Sequence, residues 1–235
     1  MKVLRILGAS LAALLVTALL HGADGLPKRV ISVQEINTDD PSGYAMFVAK
    51  TNEVAKAKLG VDSYIRVYST NYDGQKTNSV RAVIAADSVA QLAQYSAQLK
   101  DNVDLLNNRE HLMHIRTLGA SVLYQGLRID GTYKGAWVYV TLATIADEAA
   151  YLKSLDGLRE VFDANGLKDA KINCYRVMAG RLDHSHRITI TFDSEARLAV
   201  FLDTVNSSAQ MQAWLASVAS NRKVVSNFTG HEITK

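Results

Sequence analysis

The chain has a single cysteine, Cys174, among its 235 residues and so can form no internal disulfide. An exported fold without that staple has to rest on its packed core. Basic blocks are also missing. Lys and Arg number 26 against 23 Asp and Glu, a formal net charge of +3 spread along the chain, which leaves nucleic acid no electrostatic footprint to bind. There is no G-x-S-x-G elbow, phosphate loop, C-x-x-C pair or dinucleotide fingerprint, so the usual local signatures of those chemistries are absent. Only one long apolar run is present, Ile6 to Leu20. Lys2 and Arg5 precede it, and small residues around Ala23 and Gly25 follow. A basic start, an apolar centre and a small-residue end form a secretory signal pattern. The run is short against the ~20 residues that span a bilayer. No cysteine lies near the cleavage region to take a lipid. Residues 1–25 are therefore expected to be a signal peptide. The mature protein is expected to be secreted or periplasmic, with no stable membrane span after cleavage.

What remains, 26–235, holds an internal repeat. Ser79 to Gln94 reads SVRAVIAADSVAQLAQ, and 106 residues later Ser185 to Val200 reads SHRITITFDSEARLAV without a gap. Ser79, Arg81, Ile84, Asp87, Ser88, Leu92 and Ala93 recur as Ser185, Arg187, Ile190, Asp193, Ser194, Leu198 and Ala199. Such a period has to be found before elements are assigned. It divides the mature chain into repeats at 26–130 and 131–235.

Each repeat predicts the same elements. RVISVQEIN alternates as a strand. Asp40 and Pro41 open a helix that Gly60 ends. VDSYIRVYST and SVRAVIAA are strands flanking the Asp73-Gly74 turn signal. Asp87 and Ser88 cap the next helix, and a further helical stretch near 104–118 leads to a strand at SVLYQGL. In the second repeat AWVYVTLA, AKINCYRVM, HRITITF and KVVSNF are the strands. Helices start near Asp147 and at the Asp193 cap, and another carries Met211 and Trp214. The order is β-α-β-β-α-β twice, the ferredoxin-like plan, with a short helix before the last strand.

Helix faces fix strand faces. Val80, Ala82 and Ile84 are expected against the helices in one copy, and Ile188, Ile190 and Phe192 in the other. Arg81 and Arg187 then point to the opposite side. A one-residue slip in the preceding strand puts Ile65, Val67, Ile172 and Cys174 on the helix side, because a wrong register would turn an apolar face outward. Cys174 then reads as a buried structural thiol. Tyr64, Arg66, Tyr68, Asn173 and Tyr175 fall on the far face, and Trp137 and Tyr139 are assigned there too, with Val138 and Val140 toward the helices.

Two such units, each with a short helix before its final strand, resemble the dimeric α/β-barrel superfamily in a tandem form. That group includes antibiotic-biosynthesis monooxygenases, haem-degrading monooxygenases and chlorite dismutase-like proteins. The resemblance lies in element order and repeat, covers 29–235, and maps no catalytic position onto this chain. It implies an α+β fold in which two antiparallel sheets pair into one barrel, and it leaves a homo-oligomer open.

The far sheet face would then line the barrel. Arg81, Arg187 and Arg66 there suit a carboxylate or another anion, with Tyr64, Tyr68, Trp137, Tyr139 and Tyr175 as flat walls. The alternative is that the arginines sit in water at the rim and the tyrosines pack the sheets together. His111 and His114 are three apart in a helical stretch, and His184 and His186 flank Ser185. Neither pair has a carboxylate or cysteine in ligand spacing, so no metal site is assigned and solvated histidines are the favoured reading. Haem stays open through the chlorite dismutase-like branch alone, and no cofactor is identified. The leading expectation is an exported protein that binds a small anionic or aromatic molecule in its barrel, without evident catalysis. The alternatives are a cofactor-independent or haem-dependent monooxygenase-like oxidoreductase, and a structural or assembly protein with a filled barrel. Expression with export predicts a mature chain lacking about 25 residues; mass spectrometry of the secreted product checks this, and an intact chain contradicts it.

Overall fold

The computed structural model describes residues 29–61, 64–71, 79–103, 105, 116–180 and 183–234. The expected signal segment, the expected Asp73-Gly74 turn, His111 and His114 lie outside the described residues.

The first repeat supplies β1 (Val30–Thr38), α1 (Pro41–Leu59), β2 (Ile65–Asn71), β3 (Ser79–Ala86), α2 (Val89–Leu99) and β4 (Arg116–Ile129). The second supplies β5 (Trp137–Ile145), α3 (Glu148–Ala164), β6 (Lys171–Ala179), β7 (His186–Phe192), α4 (Glu195–Ser207), α5 (Ala209–Val218) and β8 (Arg222–Glu232). The caps are local chemistry. Asp40 accepts the Gly43 N–H at 2.8 Å with Pro41 beside it, and Asp147 accepts the Ala150 N–H at 2.9 Å. Gly60 and Gly166 take the left-handed φ of 68° and 73° that follows a helix end. The repeated Asp-Ser pairs diverge. Ser88 accepts the Gln91 N–H, whereas the N-cap Ser194 turns its hydroxyl to Asp193 instead.

All strand pairs are antiparallel. Within each repeat the last strand flanks the first, then come the third and second: β4-β1-β3-β2 and β8-β5-β7-β6. The two sheets join where β2 meets β8 and β4 meets β6, so eight strands close into one barrel. Closure removes the exposed edges that each sheet alone would present. Residues 116–118, expected at the end of a helical stretch, are strand instead, because β4 extends to pair Arg116 with Thr38 of β1.

The helices cover the outside of the barrel. Val67, Val80 and Ala82 pack under Tyr44 and Val48 of α1. Ile172, Cys174, Ile188, Ile190 and Phe192 pack under Leu155, Leu158, Phe162 and Phe201. Burial there pushes the Cys174 thiol up to about 12, as suits a structural cysteine. No helix among the described residues is long and apolar enough to cross a membrane.

β5 is turned over relative to the sequence reading. Trp137 lies opposite Phe192 and His231, and Tyr139 opposite Ile190, so both face the helices. The Tyr139 ring sits 5.1 Å from that of Phe201, and Trp137 stacks on His231 at 4.7 Å. Val138, Val140 and Leu142 line the barrel instead, with Phe228. Alternation of period two separates the faces of AWVYVTL but does not say which is inside when both are apolar. The bulkier face went to the layer where α4 offers aromatic partners. Tyr64 is also corrected. It precedes β2, packs with Ala55 and Leu99 of the helices, and meets Tyr95 edge to face at 5.7 Å.

The seams are tight. A Cβ on Gly230 would lie 2.3 Å from the Ser69 carbonyl oxygen, across β8 and β2. At the other seam a Cβ on Gly180, just past β6, would lie 2.3 Å from the Ser121 carbonyl oxygen of β4. Asp130, next to that seam, accepts the Ile172 N–H at 3.1 Å and a guanidinium hydrogen of Arg159 at 2.7 Å. Partial burial raises its pKa, but those hydrogen bonds and the Arg128 and Arg159 charges outweigh it and hold the carboxyl below its usual range.

Gly230→Val should therefore lower the urea midpoint, by about 1–3 kcal/mol of overpacking or more. Gly157→Ala in α3, where the new Cβ meets Trp214 at an ordinary 3.7 Å, should gain about 0.5–1 kcal/mol. Asp130→Asn should destabilise most at neutral pH. Its depressed carboxyl contributes stability above the unfolded pKa, and that contribution fades as pH falls below ~4 through the folded value. Denaturation of wild type and variant at both pH values checks the sign.

Candidate functional site

The barrel interior carries two apolar clusters with charge between them. One is Ile31, Val33, Val122, Tyr124 and Tyr175, and the other is Val138, Val140, Leu142 and Phe228 with Tyr68 against it. Arg81 and Arg187 rise from β3 and β7 into the space between. Both are buried, 7% and 6% exposed, which removes the reading that they sit in water at the rim. Their guanidinium carbons lie 4.0 and 5.9 Å from the centre of the Phe228 ring, a cation-over-ring arrangement.

The two arginines are held differently. Arg81 lies opposite Glu35 in the register and pairs with it at 3.1 Å. The equivalent position opposite Arg187 is Leu142. No carboxylate among the described residues pairs with Arg187. Its neighbours are the Tyr124 hydroxyl, Tyr175 and the like charge of Arg81, and burial lowers its pKa. Its Nε is buried without a hydrogen-bond partner among the described residues, as is the hydroxyl of Thr191 further along β7. An uncompensated buried guanidinium is costly, and an anion beside it would relieve that cost.

Of the other residues named from sequence, Tyr68 and Tyr175 do line the interior. Burial pushes the Tyr175 hydroxyl up to about 12, so it is a neutral donor. Arg66 shares the face but is committed, 3.6 Å from Glu232 and donating to the Tyr133 carbonyl at 3.2 Å. Tyr64, Trp137 and Tyr139 are on the helix side and do not join the group. Glu35, Tyr124 and Phe228 were missed. Glu35 had a signal: it shares an alternating face with Ile31 and Val33, and a lone acid on an apolar face calls for a partner.

His184 and His186 are not solvated. Each is 4% exposed and engaged at both ring nitrogens. His184 meets Asp183 at 2.7 Å and Tyr124 at 2.9 Å. His186 meets Ser185 at 2.7 Å and Glu148 at 2.9 Å. Among the described residues no group of three or more metal-ligating side chains forms. Haem finds no fit there either. His184 and His186 have no nitrogen left for iron, and His231 bonds Ser69 at 2.7 Å while its ring is stacked outside the barrel.

A scan against family profiles and a sequence search among curated proteins give no match. Solved structures do match. The chain is similar to a putative monooxygenase from Fusobacterium nucleatum subsp. nucleatum, at TM-score 0.55 and 9% identity, covering 88% of this chain and 93% of that one. It is similar to a putative monooxygenase from Lactobacillus acidophilus, at TM-score 0.55 and 8% identity, covering 87% and 93%. A variant chlorite dismutase from Candidatus Nitrospira defluvii aligns at TM-score 0.51 and 10% identity, over 88% and 91%. Identities this low speak for fold and not for chemistry. In fold, the chain is a dimeric α/β barrel in tandem form, with both ferredoxin-like halves supplied by one polypeptide.

Proposed function

We propose that this is an exported protein whose barrel interior binds a small organic anion, with Arg187 as the anchor. The observation that carries the reading is the buried Arg187 guanidinium: among the described residues its Nε has no hydrogen-bond partner and no carboxylate neutralises it. Phe228 and Tyr175 supply a flat apolar surface beside it, so an aromatic or enolic anion suits the place better than a small inorganic one. The internally closed barrel leaves no sheet edge to pair, so a homo-oligomer would form through the outer helices.

A second reading, a monooxygenase-like oxidoreductase, draws support from the names of two structural neighbours. In it the same anion site would hold an oxidisable substrate, and dioxygen consumption with a bound phenol would separate it from simple binding.

Benzoate is a suitable first probe, read by calorimetry. Charge-assisted hydrogen bonds contribute about 1.5–3 kcal/mol, so Arg187→Met should weaken binding roughly 10- to 100-fold. Leu142→Glu, which gives Arg187 the acid that Arg81 already has, should weaken it similarly while keeping the guanidinium. Undiminished benzoate binding in both variants, or none in the wild type, would overturn the reading.

A further inference from the structure

Four side chains run in a line from the barrel interior outward. The Arg187 guanidinium lies beside Tyr124, its carbon 5.9 Å from the centre of the ring. Tyr124 reaches His184 Nε2 at 2.9 Å, and His184 Nδ1 reaches an Asp183 oxygen at 2.7 Å. The His184 side chain is 1% exposed and that of Asp183 is 34% exposed, so one end is dry and the other wet.

The donors fix the direction. A carboxylate can only accept, so His184 Nδ1 carries the hydrogen, and in the neutral ring Nε2 is the acceptor. In that neutral form Nε2 accepts the Tyr124 O–H. Tyr124 keeps an oxygen lone pair for a further donor. Burial raises its own pKa, so it stays protonated and able to donate. The charged and titratable groups facing it are Arg187, Arg81 and Asp183, with Tyr175 in the same cluster. The two arginines favour a developing negative charge inside, and Asp183 favours a positive one at His184. A structural role needs only one of these bonds. The alignment of an acceptor, a bare imidazole nitrogen, a phenol and a guanidinium without a carboxylate is what outward proton transfer requires.

We infer that the interior takes up weakly acidic phenols or enols and holds them as oxyanions, their proton leaving through Tyr124 and His184 toward Asp183. The inference rests on the anion-site reading above. The ligand's O–H bond breaks and its proton passes to the Tyr124 oxygen, while the Tyr124 proton passes to His184 Nε2. The ligand keeps the bonding pair as an oxyanion beside Arg187. Tyr124 ends neutral as it began, His184 becomes an imidazolium facing Asp183, and the sum of charges is unchanged. Solvent at Asp183 can then take the proton from the imidazolium.

Two probes on the full-length mature protein separate this from simple anion binding. Benzoate is an anion already and needs no proton outlet. A nitrophenol must lose a proton, and its phenolate absorbs in the visible. At a pH about one unit below the nitrophenol's own pKa, ~10% of the free probe is ionised. The wild type should bind it mostly as phenolate. His184→Gln should leave benzoate affinity unchanged and return the bound nitrophenol to its neutral spectrum, and Asp183→Asn should fall between. Retained benzoate binding shows that each variant is folded. A wild type that binds benzoate but holds nitrophenol in the neutral form, or a His184→Gln variant that ionises it as fully as the wild type, overturns the proton outlet alone. Binding of neither probe by the wild type overturns both readings.

Discussion

Everything inside this molecule depends on two lines of backbone pairing, β2 with β8 and β4 with β6. Each repeat has one sheet face covered by its own helices and one left bare. Neither bare face is apolar enough to be a core by itself, and neither is polar enough to be an ordinary surface. Joined edge to edge they enclose each other. The glycines at the seams are where the cost of a poor fit would fall first, since backbone from the neighbouring strand occupies the volume a side chain would need.

Enclosure changes what the interior groups mean. A guanidinium in water is screened and cheap, but at 6% exposure its charge acts strongly on whatever is near. Arg81 is answered by Glu35, and Arg187 by nothing of opposite charge among the described residues. Tyr124, beside that cation, is hydrogen-bonded through His184 to the partly exposed Asp183. The proposed anion binding and the proposed proton release would thus draw on one field.

The repeat made most of the architecture legible. A copied strand and helix at a fixed offset gave the element order, and helix periodicity gave the buried side of β2, β3, β6 and β7. It failed on β5, where Trp137, Val138, Tyr139 and Val140 make both faces apolar and alternation loses its sign. It also failed at Tyr64, whose place is set by Tyr95 and the two helices and not by strand alternation. The arginines were legible because the same residue recurs at the same place in each copy. Tyr124 and His184 were not, since their meaning comes from cross-strand register and from a loop that no local pattern ties to β4.

The replacement of the acid beside one arginine by Leu142 has a geometric consequence. A barrel assembled from two identical subunits carries a two-fold axis, and whatever binds across its middle sees the same environment from either end. Fusion lifts that restriction. Here one arginine of the interior is paired with an acid and its counterpart faces Leu142, so the two halves of the enclosed space are not equivalent. The repeated chain thereby has an internal polarity that neither repeat has alone.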